Sequence, residues 1–496
     1  LCPPPAPSSA LVAEWIAFAT GSPTMLPTPQ LTASLDRARA IAAQHRAFHW
    51  ELAFPEVFFG RDGRLRPDGG FDAVIGNPPW DMLRADLGSQ EHRTTARAVT
   101  GAELRFFRDS GVYALQGSGH ANRYQLFLER ALQLARPGGR LGLILPSGIG
   151  TDQGSAMLRR HLFDRTTIDT WLGFDNRRRI FPIHRSMRFV LLSTQTAGQT
   201  GTLSFQCALS DPAVLDADGG GPPLRIARSR LESWNHDLSI PEVPDATALE
   251  ILSGISSRVP ALGDASGWSV RFGRELNATD DRPHFLPLAN ARQRLLPIVE
   301  GKLVSPFQVH LDRATAGIPA RIASRLLDRE RFRRLRLAYR DVAGATNKLT
   351  LIAALLPADT VSTHTVFVSK TPLDEESLWC LLGLMNSLVA NYLVRLRVMT
   401  HVTTATMARL PVPRPATGSA EFAAIADLSQ TLAREGVDAA AEAYARLNAI
   451  VARLYGLTAD QLRYIAGTFP LVDTHVRSRA IEIFASLHRS VFPRLE

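Results

Sequence analysis

Asn77-Pro78-Pro79-Trp80 is the stretch of this chain whose residue types say most about chemistry. Two consecutive prolines remove two backbone donors and hold Asn77 and Pro78 in extended conformations. The Asn77 side-chain oxygen and the Pro78 carbonyl are then acceptors with no neighbouring N–H to compete for them. Such a pair suits an –NH2 group, one hydrogen to each acceptor, while Trp80 offers a flat face for a planar ring. Adenine is a planar ring with an exocyclic amine. The lone pair of that amine is delocalised into the ring, and two acceptors pulling on its hydrogens favour a more tetrahedral nitrogen. Freed in this way, the lone pair can attack an electrophilic methyl group. This is stabilisation of charge that develops in the transition state, helped by orientation. Asn-Pro also marks ordinary turns, but the aromatic fourth residue and the strand-like run ahead weigh against so plain a role.

Chemistry of this kind needs a rigid support. Directly before the tetrapeptide, Phe71 to Gly76 contains the apolar, β-branched run Ala73-Val74-Ile75, which predicts a buried strand of a parallel sheet. Downstream, Tyr124 to Glu129 reads as helix, Arg136-Pro137-Gly138-Gly139 as a tight turn, and Leu141 to Pro146 as a buried strand. A helix is predicted near Gly154 to Phe163, with strands near Thr167 to Phe174 and Met187 to Ser193. These last two, separated by the Asn176-to-Ser186 loop, are expected to pair antiparallel at the edge of the sheet. Gly148-Ile149-Gly150 and Gly154 invite a dinucleotide-binding reading, but they follow the N-P-P motif and lack the required third-glycine spacing.

In this order the blocks resemble those of N6-adenine DNA methyltransferases, in particular the large bacterial enzymes of type IIG restriction-modification and phage-exclusion systems. Phe48 to Phe58 is similar to a stretch upstream of their catalytic motif. Tyr124 to Glu129 with Arg136 to Pro146 matches the next block. Ile180 to Ser186 resembles the block whose aromatic residue contacts the flipped base. The resemblance runs from about residue 48 over most of the chain. It implies an α/β fold: a partial Rossmann-like methyltransferase sheet, then an α+β target-recognition domain and a helical tail. S-adenosylmethionine is the implied cofactor and double-stranded DNA the implied partner, with the adenine rotated out of the helix. Asn77, Pro78, Pro79 and Trp80 become the implied catalytic residues. Phe181 would sandwich the base with Trp80, and Phe127 would border the adenine of the cofactor. Arg177, Arg178, Arg179, His184 and Arg185 would grip the flanking phosphates, a solvated hairpin loop being the plainer alternative. Protein-glutamine methyltransferases share N-P-P, usually with tyrosine fourth, but are small.

One part of the pattern is missing. Enzymes of this order place a Phe-x-Gly-x-Gly loop for S-adenosylmethionine before the N-P-P motif, and nothing between Leu1 and Gly76 fits. The chain also opens on Leu1. It is therefore expected to be the C-terminal part of a longer polypeptide and to bind the cofactor poorly alone. The resemblance leaves open an upstream nuclease or other defence-system subunits in the parent, since enzymes of this kind carry such domains upstream. A DNA-binding fragment without activity is the alternative.

Composition fits a soluble, multi-domain protein. Of 496 residues, 56 are Lys or Arg and 47 Asp or Glu, giving +9, which is compatible with a polyanionic partner. The expected division is 1–50 as a helical remnant, 51–198 as the partial catalytic domain and 199–264 as linker or insert. Residues 265–415 follow as the DNA-recognition domain and 416–496 as a helical region. Arg331, Arg333, Arg334, Arg336 and Arg340, interleaved with Phe332 and Tyr339, form a basic cluster. By itself such a run is more often a solvated helix face, but inside a DNA-recognition domain it is read as phosphate contacts. Cys2, Cys207 and Cys380 are scattered without ligand spacing, which suits a reducing cytoplasm. Leu378 to Val394 is apolar but slightly short for a bilayer and is read as a buried core helix, so no membrane partner is expected.

Overall fold

A computed structural model of the chain describes residues 9–44, 46–81, 101, 103–117, 122–216, 222–234, 236–289, 293–342, 344, 347–398 and 401–489. Six strands make the first sheet: β1 (Phe71–Gly76), β2 (Ala135–Pro146), β3 (Thr166–Asp175), β4 (Arg188–Thr196), β5 (Thr202–Leu209) and β6 (Leu224–Ala227). Their spatial order is β1-β2-β4-β3-β5-β6. β1 runs parallel to β2, with Val74 opposite Leu141 and Gly76 opposite Leu143. β4 is antiparallel to both β2 and β3, β5 is parallel to β3, and β6 is antiparallel to β5. Leu141, Leu143, Leu145, Val190 and Leu192 are buried on one face, where α1 (Arg123–Leu134) packs on β2 and α2 (Ala156–Arg165) on β3. This is a mixed α/β architecture, and its parallel pair carries the N-P-P-W loop.

Three expectations are corrected. β1 is parallel but not buried: it is the outer strand of its sheet, and Ile75 is 85% exposed. The β3–β4 pair is antiparallel but not at the edge, because β4 lies between β2 and β3 and β5 and β6 extend the sheet further. Residues 199–264, expected as linker or insert, instead supply β5 and β6 to this same sheet. Leu203, Phe205 and Cys207 are buried at alternate positions of β5, the period of a half-covered strand, and a helix capped by the Asp245 side chain follows at Ala246–Ser256. The Asp/Gly/Pro-rich composition around Asp216 to Pro223 hid that pattern.

Beyond it lie two four-stranded sheets. One is built from Leu286–Pro287, Leu295–Val299, Ala316–Pro319 and Val361–Ser362, the other from Phe272–Gly273, Arg336–Arg340, Ala353–Leu356 and Val366–Ser369. Helices Ala420–Glu435, Ala441–Leu454, Ala459–Gly467 and Thr474–Arg489 form the C-terminal region. The apolar stretch at Leu378 to Val394 is buried, as two helices rather than one: α3 (Glu375–Asn386) and α4 (Leu388–Arg395) meet at 57°. Ser387 makes the break, its backbone extended and its side chain accepting from the Ala390 N–H. Among the described residues no single helix is long and apolar enough to cross a membrane.

Asparagines seal this junction. Asn386 binds both the N–H and the carbonyl of Ala353 at 3.0 Å. Asn391 Oδ1 accepts from the Thr350 and Leu351 amides at 2.8 Å. Asn448 Oδ1 accepts from Leu388 at 2.7 Å. Cys207 and Cys380 are buried and free; burial pushes the Cys380 thiol up to about 12, so it stays protonated. Cys2 lies outside the described residues.

Candidate active site

The carboxyl end of β1 delivers Asn77 directly after Gly76, with Asn77 exposed, Pro78 buried, and Pro79 and Trp80 partly covered. Beyond Trp80 the chain is tied down: the Asp81 carbonyl accepts from the Arg123 N–H at 3.0 Å, at the first residue of α1. Gln125 Oε1 accepts from the Asn122 N–H at 3.1 Å, and the Gln125 amide donates to Ser155 Oγ at 2.8 Å. The Tyr124 hydroxyl joins Ser155 at 3.1 Å; burial pushes this phenol well above its ordinary range, so it stays neutral. These bonds set the exit of the loop against the sheet.

Phe174 and Phe189 are cross-strand partners on β3 and β4, buried and stacked at 5.4 Å and 10°. Phe181 meets Phe189 edge-on at 5.0 Å and 72°. Trp80 completes the cluster, 6.0 Å from Phe189 and 5.9 Å from Phe181 at 77°. Phe174 and Phe189 were not singled out from sequence, although their strand positions make them the floor of the site. Two expectations change here. The Asn77 oxygen does have a competitor, since Trp80 Nε1–H donates to Asn77 Oδ1 at 3.1 Å. Trp80 and Phe181 are not poised as a sandwich, either. A base between two rings needs them parallel and about 7 Å apart, twice the ~3.5 Å carbon contact distance, whereas these touch edge to face.

Asn176 holds the Phe181 loop, and sequence reasoning missed it. Fully buried, it accepts from the Phe181 N–H at 2.9 Å through Oδ1. Its Nδ2 donates to the carbonyls of Phe181 (3.0 Å), Ile183 (3.1 Å) and His184 (3.4 Å). The only sequence signal was an asparagine just past a strand, where its side chain can close a turn.

The charged loop is partly committed to protein partners. Arg177 Nε lies 3.3 Å from Asp175, Arg178 pairs with Asp211, and His184 Nδ1 contacts Ser186 Oγ at 2.7 Å. Arg179, in the left-handed region at φ 57°, and Arg185 are exposed. Phe127 is 53% exposed on α1. Gly150 packs tightly: an added Cβ would lie 3.0 Å from the Trp171 ring, so close packing accounts for this glycine of the Gly148-Ile149-Gly150 run.

The distant arginine cluster does not act as one patch. Arg336 is only 4% exposed and donates to the carbonyls of Arg331, Arg334 and Thr360. A phosphate cannot reach it there, which corrects the expected contact. Burial lowers the pKa of Arg340, half-buried on its strand. Phe332 and Tyr339 are core residues, not stacking platforms. Arg331 is partly exposed, and Arg333 and Arg334 are exposed.

The fold and site so far are a mixed α/β sheet whose parallel pair ends in N-P-P-W, followed by smaller sheets and a helical C-terminal region. Residues 25–181 match the family model of the Eco57I restriction-modification methylase. No curated protein matches the chain. Among solved structures it is similar to the type IIL restriction-modification enzyme MmeI in complex with DNA, with 11% identity and TM-score 0.48 over 84% of this chain and 57% of that one. A second is the type IIG restriction endonuclease BpuSI, with 12% identity and TM-score 0.29 over 85% and 54%. A third is a nuclease-deletion mutant of the type ISP enzyme LlaGI with a DNA substrate mimic, with 10% identity and TM-score 0.42 over 75% and 35%. The chain thus spans between 35% and 57% of the length of these three.

Proposed function

We propose that this chain is the target-holding part of a DNA methyltransferase of a restriction-modification or phage-defence system. Its complete enzyme would transfer methyl from S-adenosylmethionine to adenine N6 in duplex DNA, on a base turned out of the helix. The observation that carries the reading is the Asn77-Pro78-Pro79-Trp80 loop at the carboxyl end of a parallel strand, beside an aromatic cluster. The match of residues 25–181 to a restriction-modification methylase supports it and disfavours a protein-glutamine substrate.

In this reading Asn77 Oδ1 and the Pro78 carbonyl receive the two amine hydrogens, and Trp80 and Phe181 part to admit the ring. Asn176 keeps Phe181 in place. Arg179 and Arg185 meet the flanking phosphates, and residues 265–415 contact the duplex, with Arg331, Arg333 and Arg334 toward solvent. The cofactor, when bound, supplies the electrophilic methyl group. This chain fits one side of its cleft, through the ends of β1 and β2 and exposed Phe127. The glycine-rich turn that would form the other side is absent from residues 1–76.

The test is Asn77→Ala in the complete enzyme, with labelled methyl transfer and DNA affinity measured together. Loss of one such transition-state contact should lower turnover about a hundred- to a thousandfold with affinity nearly unchanged. Turnover close to that of the parent would remove Asn77 from the mechanism.

A further inference from the structure

We infer that Trp80 is a built-in surrogate for the target base: in the resting chain its indole takes the acceptor position on Asn77, and the base gains that position by displacing it. This rests on the reading of Asn77 as the amine acceptor and adds a resting state to it.

The geometry carries the point in three parts. Trp80 Nε1–H donates to Asn77 Oδ1 at 3.1 Å, the contact assigned to the adenine amine. The same ring packs against Phe181 at 5.9 Å and Phe189 at 6.0 Å, the first the ring assigned to flank the base and the second the floor of the site. Indole is also a planar bicyclic ring with an N–H on one edge, close in outline to a purine. Donor, ring and walls therefore coincide at one place. A carbonyl oxygen can accept twice, but the ring that uses one lone pair here also fills the space against Phe181. Phenylalanine at this position would stack without donating, and the only donor of tyrosine sits at the far tip of its ring.

Capture is then an exchange rather than a simple gain. The indole–Asn77 hydrogen bond breaks as the amine–Asn77 bond forms, and a ring lacking an amine cannot restore what it displaces. One neutral hydrogen bond is worth about 0.5–1.5 kcal/mol net, so the latch should weaken base capture roughly two- to twelvefold.

The test uses the whole chain labelled with 15N at its seven tryptophans, with the Trp80 indole resonance assigned by its disappearance in Trp80→Phe. In the unliganded protein, Asn77→Ala should shift that resonance toward a free indole and speed its solvent exchange. An unmoved resonance overturns the latch. Single-stranded oligodeoxyadenylate of eight nucleotides should move the wild-type resonance in the same direction as it saturates. Saturation without that movement also overturns it. Trp80→Phe should bind the oligonucleotide roughly two- to twelvefold more tightly, whereas equal or weaker binding counts against the latch. Failure of the oligonucleotide to bind at all would instead sink the base-capture reading, leaving the Asn77→Ala comparison to decide the latch alone.

Discussion

Replacing Asn176 by alanine should loosen the Phe181 loop far more than it unfolds the protein. The Asn176 amide has only two hydrogens to share among three carbonyls at 3.0, 3.1 and 3.4 Å, and the last is too long to count fully. Two donated bonds and the accepted one at 2.9 Å leave three effective interactions. At about 0.5–1.5 kcal/mol each they sum to roughly 1.5–4.5 kcal/mol. Water can reach much of the exposed loop once the side chain is gone, so a local loss of about 1–3 kcal/mol is the reasoned figure. The Phe181 amide should therefore exchange with solvent roughly five- to 150-fold faster, every 1.4 kcal/mol being tenfold. Asn176→Asp keeps the acceptor for Phe181 N–H but turns a carboxylate toward carbonyl oxygens, and should loosen the loop at least as much. Native-state hydrogen exchange gives the local value and urea unfolding the global one. Unchanged Phe181 exchange in Asn176→Ala would refute the claim that this side chain holds the loop.

Asn391→Ala orphans two buried amides and should lower stability by about 2–6 kcal/mol, at 1–3 kcal/mol for each unsatisfied group; a urea midpoint within error of the parent would count against it. Burial works to raise the Asp237 carboxyl, but the Ser239 hydroxyl, Arg159 and Arg409 outweigh it and hold the group below its ordinary 3.8. A lowered carboxylate stabilises the fold fully above its unfolded value and loses that contribution as pH falls through the folded one. Between pH 6 and 3 the urea midpoint should consequently fall more steeply in the parent than in Asp237→Asn, and parallel slopes would contradict this. Duplex DNA should bind with an affinity that drops as salt rises, and Arg179→Ala and Arg185→Ala should each reduce the logarithmic salt slope by about 1. Slopes equal to that of the parent would place both side chains off the DNA.

The sequence spoke clearly where local rules act and faintly where they do not. An apolar β-branched run leading into N-P-P-W located β1 and its loop, because strand pattern and proline stereochemistry are properties of neighbouring residues. The parallel pairing with β2 agreed as well. The exposure of Ile75 was not legible, since the same three apolar residues suit a central or an outer strand. Trp80 turning its N–H onto Asn77 depends on a side-chain rotamer that no spacing encodes. Among the arginines near 331–340, identical residue types ended at opposite levels of burial: Arg336 turns inward onto the Thr360 carbonyl, a partner 24 residues away, while Arg333 and Arg334 face solvent. Asn176 carried only a composition signal, one polar residue after a strand, and its four backbone partners became visible only with the loop folded around it.

The asparagine seam at the α3–α4 break has a consequence for protein engineering. Asn386 and Asn391 hold residues 350, 351 and 353 as a neighbouring strand would, by bonding main-chain groups in sequence. Asn448 ties the start of α4 to the C-terminal helices in the same manner. A one-residue slip between these pieces would misplace every one of those bonds at once. Chimaeras that exchange part of the 265–415 region with a distant homologue should therefore keep residues 350–353, α3, α4 and the helix bearing Asn448 from a single parent. A crossover placed between 353 and 386 would combine a strand and a clamp that were never matched to each other, and the product should express as aggregate rather than as a protein of altered specificity.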